Sequence, residues 1–231
     1  MTGSREPLRR HPFAYWLLRE TLRLLCVVFF RLTSRGREQV PRRGACIIAP
    51  NHASFLDPLV VGIAVPRQIH YMARHDLWDN RRIAWFLNAS NSFPVRREGV
   101  AGEAFKRAIR LLEQGEAVLV FPEGGRSLDG RIGGAQAGVG MLARMTGAPV
   151  IPVAVIGADR ALPPHARMIR LARVRVVFGA PIVPPSDAPP REQRRAAYQR
   201  LADEVIEAIR EIHGRYSVGP CGRGEGGGRT Q

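Results

Sequence analysis

The segment 51–57 combines a histidine and a carboxylate at a spacing that suits acid–base chemistry. His52 directly follows a short apolar run, so we expect it at the end of a buried strand, facing a cleft. An imidazole titrates near neutral pH and can accept a proton from a hydroxyl group. Asp57 can bond the other ring nitrogen and stabilise the imidazolium, so the pair predicts a base that activates a substrate hydroxyl. The alternative is a pair that only stabilises a turn, and Ser54 between them is interpreted as a turn residue.

A second segment, 121–127, has the residue types of an anion-binding loop. Its two glycines allow a tight turn and a close approach of the backbone to a ligand. Arg126 can grip a phosphate and Ser127 can donate a hydrogen bond to it. Glu123 can hold an arginine in place or bond a substrate hydroxyl. The same residue types also occur in ordinary turns, so the segment alone favours a phosphate site without establishing one.

Together with two further segments, these residues resemble the glycerolipid acyltransferase family, whose best-known type is the 1-acylglycerol-3-phosphate acyltransferase. The family's four blocks occur in order as Asn-His-x-x-x-x-Asp (51–57), Phe-Pro-Val-x-Arg (93–97), Phe-Pro-Glu-Gly-x-Arg-Ser (121–127) and Val-Ile-Pro-Val (150–153). The resemblance extends over residues 45–183. It displaces the interpretation of His52 and Asp57 as mere turn residues.

The resemblance implies a role for each matching residue. His52 is implied to be the general base and Asp57 its orienting carboxylate. The implied substrate contacts are Arg97, Glu123, Gly124, Arg126 and Ser127 at the acceptor phosphate, Pro152 at the acyl or acceptor pocket, and Arg74 where the family often has lysine. The second block departs from the family's pattern, because Asn91 and Pro94 occupy the places of a glycine and a phenylalanine. Arg96 therefore remains a rival of Arg97.

The reaction that the resemblance implies is the transfer of a fatty acyl group to the sn-2 hydroxyl of lysophosphatidate, giving phosphatidate for phospholipid synthesis. The donor is acyl-CoA or acyl carrier protein, no cofactor is implied beyond it, and no covalent enzyme intermediate is needed. The arginines favour an anionic acceptor; other lysophospholipids, an amino-acid lipid or a glycolipid stay open. A catalytically silent scaffold of the same fold is disfavoured by the intact histidine–aspartate pair.

The charge of the chain favours anionic partners. The formal net charge is +15 and the sequence pI is about 11.4. Lys106 is the only lysine, so an arginine-biased genome is an equally good source of the excess. A nucleic-acid binder would interleave basic and exposed aromatic residues. Here the arginines are spread along the chain and aromatic residues make up 7%, so we expect membrane lipid and the acyl donor as partners, and no nucleic acid.

The cysteines suggest neither a metal site nor a disulfide framework. Cys26, Cys46 and Cys221 have neither zinc-like nor paired spacing, which fits a reducing compartment.

Strands alternate with helices along the chain, which predicts a single α/β domain with a central mixed sheet flanked by helices. Apolar runs predict strands at 45–49, 69–72, 92–95, 117–121, 150–155 and 174–178. Helical patterns occur at 59–65, 77–88, 102–115, 135–145 and 191–213. Two of the strands lead directly into the segments that carry the chemistry.

Three regions are expected: a membrane-associating N-terminal helix at 1–35, an acyltransferase domain at 36–213 and a disordered Gly-rich tail at 214–231. Charged residues interrupt the apolar stretch 13–32, and its longest uninterrupted part, 24–30, is too short to span a bilayer.

Arginines on both sides of the N-terminal stretch predict an amphipathic helix lying among the headgroups of an anionic membrane. A buried core helix and a tilted span are the alternatives. Arg19, Glu20 and Arg23 are expected on its polar side. The protein is accordingly expected to be peripheral or monotopic at the cytoplasmic face of the cell membrane.

Overall fold

The computed structural model describes residues 12–74, 78–81, 84, 92–95, 101–163, 166, 168–187 and 189–217. For 12–18, 73–74, 94–95 and 101 only the backbone is described. Most of the helix expected at 77–88, both Arg96 and Arg97, and the tail from 218 onward lie outside these residues.

Seven strands form one mixed sheet, which confirms the predicted architecture. The strands are β1 (Thr33–Arg35), β2 (Cys46–Pro50), β3 (His70–Arg74), β4 (Ser92–Val95), β5 (Ala117–Leu119), β6 (Val150–Ile156) and β7 (Arg175–Phe178). Their order is β1-β7-β6-β2-β5-β3-β4. Neighbours run parallel, except that β6 and β7 are antiparallel.

Helices cover both faces of the sheet. They are α1 (Pro12–Phe30), α2 (Asp57–Ala64), α3 (Ala101–Glu113), α4 (Gly138–Thr146), α5 (Ala158–Ala161) and α6 (Arg194–Ser217). Successive strand side chains point to opposite faces. Ile48 therefore packs with α1 and α2, whereas its neighbour Ile47 packs with α3, α4 and α6. Because the central strand β2 is buried on both faces, its sequence is a continuous apolar run.

The edge strand β1 and the short helix α5 were not predicted from the sequence. β1 has the polar sequence Thr-Ser-Arg and pairs, among the described strands, with β7 alone, so it lacks the apolar run of a central strand. Residues 33–35, which the sequence placed in the N-terminal region, thus belong to the sheet. The last helix also continues to Ser217, past the end expected at His213. Its final turn is held by Arg175, whose Nη1 donates to the backbone oxygen of Tyr216 at 2.8 Å.

Helix α1 packs against α2 through a buried arginine. Arg19 was expected on the polar side of α1 but is 7% exposed, and its Nη2 donates to the backbone oxygens of Ile63 (3.3 Å) and Val65. These carbonyls lie at the end of α2, where helical oxygens lack helical partners and attract a cation. Within the described ranges, no helix combines the length and hydropathy needed to cross a membrane.

The loops that contain the predicted site residues lie at one edge of the sheet. The strands β2 to β6 are mutually parallel, so their carboxyl ends meet at the same edge, here called the carboxyl edge. β7 runs the other way and begins there, since Arg175 pairs with Ile156 at the end of β6. Thr33 pairs with Arg175 as well, so α1 also ends at the carboxyl edge.

Candidate active site

His52 and Asp57 meet at the carboxyl edge, in the loop between β2 and α2. The Nδ1 atom of His52 lies 2.9 Å from Oδ2 of Asp57. A tight turn brings them together, because the backbone N–H of Asp57 donates to the oxygen of Ser54 at 3.2 Å. Asp57 opens α2 and its side chain folds back over the turn. The predicted pairing is thus present in the structure.

The carboxylate of Asp57 is held by three donors. Besides the His52 ring, the backbone N–H groups of Ala53 and Ser54 donate to Oδ2, each at 2.7 Å. The side chain of Asp57 is 1% exposed, and burial raises its pKa, while the hydrogen bond and charge of His52 and the two backbone donors oppose that rise. Because Oδ2 of Asp57 is an acceptor beside Nδ1 of His52, the ring proton is assigned to Nδ1. The Nε2 atom is then unprotonated and can accept a proton.

The His52 side chain is 16% exposed and is held between two loops. Phe121 stacks on the imidazole with ring centroids 3.9 Å apart and an interplanar angle of 18°. The backbone N–H of Ser127 donates to the backbone oxygen of His52 at 2.8 Å. The segment 121–127, which follows the neighbouring strand β5, therefore also fixes the orientation of the His52 side chain.

Glu123 joins the two loops through backbone contacts. Its Oε1 accepts the backbone N–H of His52 at 2.8 Å, and its Oε2 accepts that of Gly133 at 2.9 Å. The sequence suggested an arginine or a substrate hydroxyl as the partner of Glu123. In the structure both carboxylate oxygens instead accept main-chain hydrogen bonds, which gives Glu123 a positioning role.

A cleft of about 410 Å³ lies over residues 123–134. Arg126 lines it, and its guanidinium carbon lies 3.8 Å from the ring centroid of the exposed Phe55. Its Nη1 has no hydrogen-bond partner among the described residues. A cation held by a ring face, with a donor left over, suits the recognition of a phosphate oxygen.

The cleft contains two residues that sequence reasoning missed, Asp129 and Arg131. The Oγ atom of Ser127 donates to Oδ1 of Asp129 at 2.8 Å, and the backbone N–H of Arg131 donates to the same oxygen at 3.0 Å. The hydrogen bond from the backbone of Arg131, and to a smaller extent the one from Ser127, lower the pKa of Asp129. Both residues fall just after the third block, which is the one sequence signal that could have indicated them.

Three further predicted residues have different surroundings. Gly124 has a φ of 69°, in the left-handed region, so it shapes the turn of the loop. Arg74 ends β3 at the carboxyl edge opposite Val95, the last residue of β4. Pro152 is buried within β6 opposite Ala49, and is not among the residues that line the cleft.

Asn51 and Ser54 stabilise the loop that carries His52. Asn51 exchanges two hydrogen bonds with the backbone of Val155, at 3.1 and 2.7 Å, and so continues the pairing of β2 with β6. The Oγ atom of Ser54 donates to the backbone oxygen of Leu162 at 2.9 Å and accepts the backbone N–H of Leu56 at 3.2 Å. Ser54 is fully buried, which confirms its interpretation as a turn residue.

Comparison with known proteins agrees with this geometry. A family model described as Acyltransferase matches residues 31–156, more than half of the chain and all four blocks. A 1-acyl-sn-glycerol-3-phosphate acyltransferase of Bacillus subtilis is 29% identical over 176 residues, which cover 75% of this chain and 85% of that protein. A chloroplastic enzyme of the same name from Brassica napus is 26% identical over 177 residues, 75% of this chain and 51% of that protein. The chain thus spans about half the length of the plant relative.

The fold also matches a solved structure. The crystal structure of a 1-acyl-sn-glycerophosphate (LPA) acyltransferase from Thermotoga maritima superposes with a TM-score of 0.68 at 24% identity, covering 91% of this chain and 86% of that one. The resemblance inferred from the four blocks is confirmed, and the chain belongs to the acyltransferase family.

Proposed function

We propose that this enzyme transfers a fatty acyl group from a thioester donor to the sn-2 hydroxyl of lysophosphatidate. The observation that carries the proposal is the His52–Asp57 pair at the carboxyl edge, joined by direct hydrogen bonds to a loop that presents the cation Arg126 to a cleft. The printed names of the relatives from Bacillus subtilis and Brassica napus support this acceptor.

In the proposed reaction His52 acts as the general base. Nε2 removes the proton of the acceptor hydroxyl as that oxygen attacks the thioester carbonyl. A carbon–oxygen bond forms, the carbon–sulfur bond breaks, and the proton passes from His52 to the departing thiolate. The carboxylate of Asp57 stabilises the imidazolium in between, which is the role of the aspartate in a triad.

The cleft residues are proposed to align the acceptor. Arg126 holds the phosphate, so that the hydroxyl is placed within reach of Nε2. Positioning of this kind lowers a barrier by roughly 7–11 kcal/mol when the geometry is tight. Arg97 and Arg74 are proposed as further phosphate contacts, with acyl-CoA or acyl carrier protein as the donor.

We also propose that α1 holds the enzyme at the cytoplasmic face of the membrane, where a lipid acceptor is found. The second half of α1 exposes five large apolar side chains: Leu24, Leu25, Val27, Val28 and Phe29. A helix with such a face is suited to lie in the interface rather than to span the bilayer.

The test is acyl transfer to lysophosphatidate by the full-length protein in lipid vesicles, with acyl-CoA and with acyl carrier protein as donors. We expect His52→Ala to lower the rate by about 10²–10⁴-fold or more, because a general base contributes that factor. His213→Gln is the matched control, since His213 lies on α6 and its Nδ1 bonds Ser217 of the same helix, not a residue of the segments 51–57 or 121–127.

Two outcomes would contradict the proposal in different ways. Transfer by His52→Ala at the wild-type rate would remove His52 as the base. If neither donor supports transfer to lysophosphatidate but transfer to another lipid hydroxyl occurs, the proposed acyl-transfer reaction stands and lysophosphatidate is rejected as the acceptor.

A further inference from the structure

The segment that leads into β7 exposes large apolar side chains. Met168 is 79% exposed, Ile169 61% and Leu171 78%. These side chains lie outside the cleft and outside the apolar clusters of the core. Large apolar side chains that are exposed side by side, rather than scattered singly, mark a candidate interaction site.

Backbone hydrogen bonds fix this segment at the carboxyl edge, beside the end of α1. The N–H of Arg170 donates to the oxygen of Ala161 at 2.7 Å, which ties the segment to α5. The N–H of Val174 donates to the backbone oxygen of Phe30 at 2.9 Å. The N–H of Thr33 donates to the backbone oxygen of Val174 at 3.1 Å. The segment 168–171 and the end of α1 are thus both connected to the edge that carries His52.

The surroundings of the segment are strongly basic. Residues 160–175 contain five arginines and no acidic residue. Arg170 and Arg173 are exposed, as is Arg31 at the end of α1, and none of the three forms an ion pair with a described residue. Apolar side chains flanked by unpaired arginines are complementary to an anionic bilayer, whose headgroups bind the cations while the acyl region takes the apolar groups.

We propose that the segment 168–171 inserts into the interface of an anionic bilayer as a contact separate from α1. Two contacts at one edge fix the rotation of the protein on the membrane, which a single interfacial helix does not. They turn the carboxyl edge, and with it His52 and Arg126, toward the lipid. The inference rests on the proposed function only in that the acceptor is a membrane lipid.

The test compares two charge-matched double variants of the full-length protein. Ile169→Glu with Leu171→Glu alters the proposed contact. Met145→Glu with Val183→Glu is the control, because both side chains are also exposed but lie near the start of β6, at the opposite edge of the sheet. Binding is measured by co-sedimentation with vesicles of phosphatidylcholine and phosphatidylglycerol.

We expect the first variant to bind these vesicles about tenfold or more weakly than the control, because two apolar side chains no longer enter the bilayer. Both variants should keep the wild-type melting temperature, as the changed side chains are exposed. Transfer to a short-chain, monomeric acceptor should also stay unchanged. A failure of that transfer in the wild type would reject the proposed function while leaving the binding result intact.

Equal vesicle binding by the two variants would overturn the inference. So would a wild-type dimer that only the first variant dissociates while vesicle binding is unaltered, because the apolar residues would then cover a second copy of the chain.

Discussion

At the residue scale, the geometry around Asp57 explains how a carboxylate with almost no exposure is held beside the imidazole of His52. Its Oδ2 accepts all three hydrogen bonds, whereas Oδ1 is buried without a partner among the described residues. The side chain is therefore fixed by one oxygen, and the second oxygen contributes to the cost of burial. The Phe121 ring restrains the other partner, so the imidazole has a defined plane before substrate arrives.

The variant Asp57→Asn separates the charge of this side chain from its hydrogen bonds. The amide oxygen can accept the same three bonds, but it cannot stabilise an imidazolium. We expect kcat to fall by about 10²–10⁴-fold with the fold retained. Acyl-transfer kinetics and circular dichroism check this, with Asp187→Asn as a control, since Asp187 lies on the exposed connection before α6. Wild-type kcat in Asp57→Asn would show that hydrogen bonding alone is sufficient.

The raised pKa of Asp57 predicts a pH dependence of stability with a definite sign. Because burial raises the pKa in the folded state above the ordinary 3.8, the unfolded chain loses this proton first as the pH rises. The free energy of unfolding contributed by Asp57 should therefore be greatest below pH 3.8 and fall as the pH rises through the folded-state pKa. Urea denaturation of the wild type and Asp57→Asn at several pH values measures the difference. A wild-type advantage that grows with pH would mean that the hydrogen bonds outweigh burial.

At the element scale, the loop after β2 that carries His52 depends on the loop after β5. Glu123 bonds the backbone of both His52 and Gly133, and Ser127 bonds the backbone of His52 in return. The loop that carries His52 and the loop that carries Arg126 therefore form one structural unit. Since each is anchored on a central buried strand, the unit is held on the rigid part of the sheet.

The variant Glu123→Gln tests this coupling. One amide oxygen replaces one carboxylate oxygen, but the NH₂ group now faces a second backbone donor. We expect a loss of about 1–2 kcal/mol in the free energy of unfolding, together with a lower kcat. Glu103→Gln on the exposed face of α3 is the control. If Glu123 only contacted substrate, KM would rise while the urea midpoint stayed unchanged.

How much of these elements the sequence predicts depends on how local their causes are. The apolar runs of β2 and β5, and the blocks that follow them, are local patterns, so the strands and the His52–Asp57 pair could be predicted. The strand β1 depends on a partner, β7, far along the chain, and its own residues are polar. The burial of Arg19 depends likewise on the end of α2. The partners of Glu123 are main-chain groups, which carry no residue-type signal at all.

At the scale of the whole molecule, the predicted site residues and the proposed membrane contacts lie at one edge of the sheet. The carboxyl edge holds the His52–Asp57 pair, the cleft, the end of α1 and the apolar segment 168–171 with its neighbouring arginines. The helices α3, α4 and α6 pack on one face of the sheet, where they contribute most of the buried apolar side chains. The edge that holds the His52–Asp57 pair therefore also holds exposed apolar side chains and exposed arginines.

The net charge of +15 predicts that membrane association depends on salt. Each arginine close to an anionic surface contributes about 1 kcal/mol, and screening acts over about 10 Å at 0.1 M salt. With Arg31, Arg170 and Arg173 near the membrane, we expect binding to phosphatidylglycerol-containing vesicles to weaken by about tenfold or more at high salt. Arg170→Gln with Arg173→Gln should flatten this dependence, whereas Arg191→Gln with Arg195→Gln, on exposed positions around the start of α6, should not. Equal salt dependence in both variants would place the responsible charges elsewhere, and salt-independent binding would leave apolar insertion as the sole source of affinity.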